Sequence, residues 1–277
     1  MNKQPTISFI GAGNMAGSLI AGLLADGYSP SHLWASDVEA DKLSALQSRF
    51  GIHTSSDNDE VVRQSQIVVL AVKPQVLKEV AQGIAATVQR QAPLVISLVA
   101  GIPEAAIDRW LGGGNDIVRC MPNTPALVKT GATALHGGER VSSEQRSRAE
   151  AVLRAVGLAV WVDREELLDA VTALSGSGPA YFFLFMEAME EAAAAMGLEP
   201  NVARLLAQQT ALGSARLAME SDEPPAALRR RVTSPGGTTE RAIAAFEQGG
   251  LRALVEQAMA AAQRRAGELS AELGSDR

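Results

Sequence analysis

Cysteine is almost absent from this chain: Cys120 is the only one in 277 residues. A lone cysteine excludes an intrachain disulfide framework and fits a reducing compartment. With apolar Ile117, Val118 and Met121 around it and no histidine close in sequence, it reads as a buried core thiol rather than a nucleophile. Histidine is scarce as well. His32, His53 and His136 show no metal-ligand spacing to one another or to the cysteine, so no metal site is expected. A basic excess is also missing, and the net charge of −6 argues against a nucleic-acid partner. The one basic run, Arg229-Arg230-Arg231, reads as a solvated or salt-bridged helix face. No uninterrupted apolar run is long enough to cross a bilayer, and the chain goes into its first strand without a basic-then-apolar leader. The expectation is a soluble, cytoplasmic protein with no membrane partner.

What is present is an ordinary globular composition, 47% hydrophobic and 20% charged, long enough for two domains with a substantial core. The chain is organised around Ile7-Ser8-Phe9-Ile10-Gly11-Ala12-Gly13-Asn14-Met15-Ala16-Gly17, a short buried strand, a glycine turn and the start of an apolar helix. Gly11 permits the tight turn, Gly13 keeps side chains away from a pyrophosphate, and Ala16 allows the helix close to the strand. The phosphate would sit on free N–H groups at the helix N-terminus. A second strand ends in Ser36-Asp37, about where such folds read the adenosine ribose. The alternatives for the glycine turn are a purely structural bend or a mononucleotide site.

Further along, helices are expected at about Glu39 to Phe50, from Asn58, from Gln75, from Pro103 and at Ser143 to Val156. Between them lie strand patterns at Ile52–Thr54, Ile67–Val72, Leu94–Leu98, Asp116–Met121, Thr130–Leu135 and Ala159–Val162, with Pro122–Ala126 as a rigid loop. Such alternation specifies a doubly wound parallel sheet of the Rossmann type with helices on both faces, an α/β fold. Residues 1–162 are therefore expected to form a dinucleotide-binding domain. From Asp163 the β-branched runs stop and helical spacing takes over, so residues 163–277 are expected to be all-helical. Its first long helix, opened by Ser177-Gly178-Pro179, carries Tyr181, Phe182, Phe183, Leu184, Phe185, Met186 and Met189 around most of its circumference. That helix must be buried on several sides, which favours a homodimer through this domain.

Ligands of open parallel sheets bind at the carboxyl ends of the strands. This shortens the candidates to Gly11 through Met15, Ser36-Asp37, Ala71-Val72-Lys73-Pro74, Ala100-Gly101 and Met121 through Pro125. Lys73 is the one ammonium among them; it can be a general acid, a cofactor contact or a solvated strand end. In the helical half, Thr233-Ser234-Pro235-Gly236-Gly237-Thr238-Thr239-Glu240 places a fixed turn, two glycines and two hydroxyls before a helix. This is either a nest of backbone donors for a carboxylate or an N-cap, with Thr238 as the cap residue.

Five blocks then resemble one family: Gly11–Ala16, Ala71–Pro74, Met121-Pro122-Asn123-Thr124-Pro125-Ala126, Ser175-Gly176-Ser177-Gly178-Pro179-Ala180-Tyr181 and Ser234–Thr239. In this order, over nearly the whole chain, they are similar to the pyrroline-5-carboxylate reductases. The resemblance implies reduction of the C=N bond of 1-pyrroline-5-carboxylate to L-proline by hydride from NADPH or NADH. It implies cofactor contacts at Gly11, Ala12, Gly13, Asn14, Met15, Ser36, Asn58, Ala71, Val72, Lys73 and Pro74. It also implies a substrate loop of Ser234, Pro235, Gly236, Gly237, Thr238 and Thr239, with the Thr239 hydroxyl bonded to the ring nitrogen as the catalytic contact. A helical domain interlocked with that of a second copy, and assembly of such dimers up to a decamer, follow from the same resemblance. One residue departs from it: Asp37 stands where NADPH-preferring enzymes often carry a small or basic residue, and Lys42 on the next helix either compensates or, the favoured reading, is solvated. A β-hydroxyacid dehydrogenase would need a base, usually a lysine in the helical domain, and residues 177–196 contain none. A dinucleotide sensor without turnover would leave the loop at Ser234–Thr239 without a purpose.

Overall fold

The structure is a computed structural model and describes residues 4–274. Its framework is one sheet in the order β3-β2-β1-β4-β5-β6-β7-β8. The strands are β1 (Ile7–Ile10), β2 (Leu33–Ser36), β3 (His53–Ser55), β4 (Ile67–Leu70), β5 (Leu94–Ser97), β6 (Ile117–Met121), β7 (Gly131–Gly137) and β8 (Gly157–Trp161). Six helices accompany them: α1 (Asn14–Ala25), α2 (Ala40–Phe50), α3 (Asn58–Arg63), α4 (Pro74–Gln91), α5 (Glu104–Trp110) and α6 (Ser143–Arg154). Strand order reverses between β1 and β4, the crevice where doubly wound sheets take their ligands.

Two-residue periodicity divides the core. Ile7, Phe9, Val69 and Ile96 enter one apolar layer with α1, α2 and α6, while Ile10, Val68, Leu70 and Val95 enter the other with α3, α4 and α5. Both layers are buried, which is why these strands read as continuous β-branched runs rather than as alternating ones. Cys120 lies in the first layer, and burial pushes its thiol well above the usual range, as expected of a core residue.

The sheet departs from the expected pattern at one place: β7 runs antiparallel to β6, with Arg119 opposite His136 and Cys120 opposite Leu135. The connection 122–130 holds only a 3₁₀ turn, Thr124–Val128, and is too short for the crossover that a parallel neighbour needs. The expected rigid loop, Pro122–Ala126, thus runs into that turn. β8 returns parallel to β7 through α6, whose N-terminus carries a complete capping box of Ser142 and Gln145.

After the sheet come α7 (Leu167–Val171) and a π-helical turn (Thr172–Gly176), neither of which the sequence pattern signals. Then follow α8 (Gly178–Ala195), α9 (Pro200–Glu220), α10 (Pro225–Arg231), α11 (Thr238–Gln248) and α12 (Leu251–Leu273). The chain forms two compact units. The first holds the described residues up to Ser177 together with those from Ala261 onward, and the second is Gly178–Ala260. In the second unit Phe185 of α8 meets Phe246 of α11 with ring centroids 5.9 Å apart, yet Phe182, Phe183 and Leu184 remain about two-thirds exposed. Of the arginine run, Arg229 pairs with Glu247 and Arg231 with Glu223, the salt-bridged face that the charge pattern suggested. No helix among the described residues is long and apolar enough to cross a membrane.

A buried ion pair ties the first unit together. Arg119 on β6 is 7% exposed and its Nη1 lies 2.5 Å from Glu165 Oε1, which also accepts the Glu104 N–H at the start of α5. Burial, then the Glu165 charge, raises the Glu104 carboxyl above its ordinary value, whereas burial lowers the facing His136. A raised carboxyl opposes folding above its ordinary pKa and ceases to do so below it. Glu104→Gln is therefore expected to raise the thermal midpoint by a few degrees at neutral pH, and the gain should vanish in scans below the ordinary glutamate range. A second test concerns Gly22 of α1, where an added Cβ would lie 2.4 Å from the Ala155 carbonyl oxygen. Gly22→Ala should destabilise the protein by about 1–3 kcal/mol, read as a lowered unfolding midpoint.

Candidate functional site

Loop 11–15 begins as a close approach of backbone to backbone. Gly11 has φ +101°, and a Cβ there would lie 2.7 Å from the Ala71 carbonyl oxygen, so neither the conformation nor the space admits a side chain. Its N–H donates to Ser36 O at 2.8 Å, and Ala71 N–H donates to Ile10 O at 2.8 Å. These bonds gather the ends of β1, β2 and β4 into one edge. Gly13 caps α1 with extended φ −77°, and a Cβ built on it meets nothing within 4 Å. The backbone here faces open space at the positive end of α1, while Ala16, fully buried, seats that helix on the sheet.

The neighbouring polar groups are bonded to one another. Ser36 Oγ donates to Asn58 Oδ1 at 2.7 Å, so the buried hydroxyl at the end of β2 orients the amide at the first position of α3. Asp37 Oδ2 accepts the Ala12 N–H at 2.8 Å and Oδ1 accepts the Glu39 N–H at 3.0 Å. The carboxylate flagged as a departure is thus a partner of the glycine loop itself. Lys42 does not compensate it directly: its Nζ pairs with Glu39, whose hydrogen bond raises the Lys42 pKa. Lys73 is the exposed N-cap of α4, with Pro74 at the first helical position, and Val72 packs on the core. Gly11 through Met15, Ser36, Asn58 and Ala71 through Pro74 therefore share the carboxyl edge of β1, β2 and β4.

Loop 234–239 belongs to the second unit. Gly237 N–H closes a turn on Ser234 O at 3.0 Å, and Gly236 has φ +72°. The N-cap of α11 is Gly237, not Thr238, and it has no side-chain cap. Glu240, in the first turn, reaches back instead, and its Oε2 accepts the Gly236 N–H at 2.7 Å. With the carboxylate meeting that donor, the hydroxyls of Thr238 and Thr239 have no hydrogen-bond partner among the described residues. Thr239 is partly buried and Thr238 exposed. Elsewhere in this unit a depression of about 490 Å³ is lined by Ile243, Phe246, Leu251 and Val255. On its charged rim Arg229 and Arg252 both pair with Glu247, and Glu256 completes the lining.

Besides α7 and the direction of β7, the first unit holds the π-helical turn and the long-range side-chain bridge of Asn123 to Ser175 and Ala132, neither of them an expected part of the site. The sole local signal for either is the pair of proline-bearing motifs, Met121–Ala126 and Ser175–Tyr181. No cluster of potential metal ligands occurs among the described residues.

Against known proteins, the family described as "Pyrroline-5-carboxylate reductase dimerisation" matches residues 165–269, and "NADP oxidoreductase coenzyme F420-dependent" matches residues 6–101. A pyrroline-5-carboxylate reductase of Pseudomonas aeruginosa is 50% identical over 272 residues, 98% of this chain and 99% of that protein. The solved pyrroline-5-carboxylate reductase of Coxiella burnetii is 46% identical with a TM-score of 0.94, covering 97% of this chain and 99% of that one. A Plasmodium falciparum pyrroline carboxylate reductase, solved with NADP bound, superposes at TM-score 0.84 with 28% identity, covering 96% and 98%.

Asp37 provides a test of the edge. Removing its charge should favour a dinucleotide that bears a 2′-phosphate, so Asp37→Ser is expected to raise the NADPH-to-NADH affinity ratio about tenfold by titration, the effect of relieving ~1.4 kcal/mol of repulsion at a partly solvated site.

Proposed function

The chain belongs to the pyrroline-5-carboxylate reductase family, and from that premise we propose which of its residues do the work. The reaction is reduction of the C=N bond of 1-pyrroline-5-carboxylate to L-proline, an oxidoreductase step of proline biosynthesis that takes its hydride from NADH or NADPH.

In our reading Gly11, Ala12, Gly13, Asn14 and Met15 hold the dinucleotide with Ser36, Asn58, Ala71, Val72, Lys73 and Pro74. One observation carries this. The Gly13 backbone opens onto free space at the start of α1, and that space and helix polarity fit a pyrophosphate. Ser36 fixes the Asn58 amide, which supports a role for the pair toward the adenosine ribose. Backbone N–H groups of Ser234, Gly236, Gly237, Thr238 and Thr239 then form the substrate loop, in which Pro235 contributes rigidity rather than a donor. The bond from Gly236 N–H to the Glu240 carboxylate supports that reading, since it is a carboxylate contact of the kind the loop would make with substrate.

Thr239 is assigned the contact to the ring nitrogen. Reduction leaves that nitrogen in need of a proton, and a hydroxyl is too weak an acid to supply one alone. Thr239 therefore orients the ring and relays a proton from water, or accepts a bond from nitrogen already protonated. The larger part of the rate comes from holding the reactants in register away from water.

The functional division we propose follows the end of the sheet: residues 1–162 for the dinucleotide, and 163–277 for substrate and dimerisation. The chain carries the family's dimerisation domain. That this domain makes a homodimer, with dimers assembled into a decamer, is our finer proposal. The exposed Phe182, Phe183 and Leu184 of α8 support the first part, because that much apolar side chain needs cover. A cytoplasmic location without nucleic-acid partners is proposed on the net charge of −6 and the single cysteine.

The deciding experiment follows nicotinamide absorbance with pyrroline-5-carboxylate and either cofactor. The parent should turn over, and Thr239→Ala should lose roughly 10–100-fold in kcat/KM, the effect of one unsatisfied buried hydrogen bond, with cofactor affinity unchanged. Absence of turnover by a folded parent that binds NADH would overturn the substrate assignment. An unimpaired Thr239→Ala would remove Thr239 from its role.

A further inference from the structure

Two of the five sequence motifs, Met121–Ala126 and Ser175–Tyr181, have no role in the site described above, and one side chain joins them. Asn123 N-caps the 3₁₀ turn Thr124–Val128 but makes no side-chain cap to it. Asparagine at such a position ordinarily accepts from its own helix. Here its amide is engaged at long range: Nδ2 donates to Ser175 O at 3.0 Å, and Oδ1 accepts the Ala132 N–H at 2.8 Å. A carbonyl on one side and an N–H on the other fix the orientation of the amide.

Ser175 needs this partner for a covalent reason. The residue four ahead is Pro179, which has no N–H, so the Ser175 carbonyl cannot be satisfied in the α-helical pattern. The chain nearby is π-helical, closed by Ser177 N–H on Thr172 O at 2.8 Å, with Ser175 Oγ donating to Val171 O at 3.1 Å. Gly176 presses on the end of β6: a Cβ added there would lie 2.5 Å from Met121 Cε. Asn123 thus ties the π turn to the chain just beyond the carboxyl end of β6, and Gly176 lies against the Met121 side chain.

That end has a definite place in the edge. β6 is parallel to β5, and β5 to β4, so Met121 lies on the same edge as Ala71–Pro74. It stands on the opposite side of the β1/β4 switch point from Ser36 and Asn58. In a dinucleotide fold the two halves of the cofactor lie on the two sides of that point.

We propose that Asn123 is a positioning residue for the reaction: it clamps the Thr172–Gly176 turn onto the end of β6, and the clamped turn backs the half of the cofactor site that carries the chemistry. This rests on the functional reading above and deepens it. Affinity for dinucleotide comes mainly from the Gly11–Met15, Ser36 and Asn58 side, whereas alignment of the reacting groups depends on the β5–β6 side. Loosening the clamp should therefore separate turnover from binding.

Asn123→Asp keeps an acceptor for Ala132 N–H and replaces the donor to Ser175 O by a repelling oxygen. Asn123→Ala removes both bonds without adding a repelling oxygen. For both variants we would measure NADH affinity by fluorescence titration, the fluorescence of bound NADH at saturation, the thermal midpoint, and kcat and KM with pyrroline-5-carboxylate. The expected result is kcat lower by roughly tenfold or more, NADH affinity within about threefold of the parent, altered fluorescence of bound NADH, and a midpoint lower by only a few degrees, the effect of one lost hydrogen bond. Folded variants with parental kcat and parental bound-NADH fluorescence would overturn the proposal. So would losses of turnover and NADH binding in equal proportion, which mark a general structural role. If Asn123→Asp does not fold, Asn123→Ala decides. The parent, assayed alongside, tests the reductase reading separately, because it must turn over before any variant ratio is taken.

Discussion

The arrangement depends on one close approach, the Cα of Gly11 against the carbonyl of Ala71. It lies where the chain leaves β1 beside the end of β4, at the position where strand order reverses. A side chain at Gly11 would wedge these strand ends apart. The hydrogen bonds from Gly11 to Ser36 and from Ala71 to Ile10 would then lose their geometry, and with them the common edge of three strands. Much that follows is support for that edge: Ala16 seats α1, Ser36 orients Asn58, and Pro74 starts α4 directly beyond the strand.

Local chemistry made most of this edge legible. Strand, glycine turn and helix are contiguous in sequence, and a strand buried on both faces has no choice but to be β-branched throughout. What could not be read depends on distance or direction. The antiparallel β7 is set by the length of the 122–130 connection and its 3₁₀ turn, while its composition suits either direction. The helix Leu167–Val171 and the π turn after it are too short for periodicity to register. At Gly237 the expected threonine cap is absent because the helix already includes Thr238, so the N-cap position falls on a glycine, which has no side chain to offer. Asn123 was visible only as a polar residue between prolines, since its partners lie 52 and 9 positions away.

The helical unit shows a different limit. Its sequence declares that α8 is apolar on most sides, and the structure leaves Phe182, Phe183 and Leu184 largely uncovered within one chain. Secondary structure was readable because alanine, leucine and glutamate set helices locally. The surface those side chains meet is a property of the assembly and lies outside any single-chain periodicity.

Both loops of interest carry an acidic residue of their own chain. Asp37 occupies the Ala12 N–H in the first unit, and Glu240 occupies the Gly236 N–H in the second. Each cradle is therefore held in shape by a tethered anion that already meets one of its donors. An arriving anion that takes such a donor does so by exchange rather than by capture, and its affinity is the difference between two carboxylate or phosphate contacts. The displaced side chain stays attached and close by, ready to return as the ligand leaves. Tethered occupants of this kind favour rapid release over tight retention, a disposition that suits a protein whose ligands must depart after every cycle.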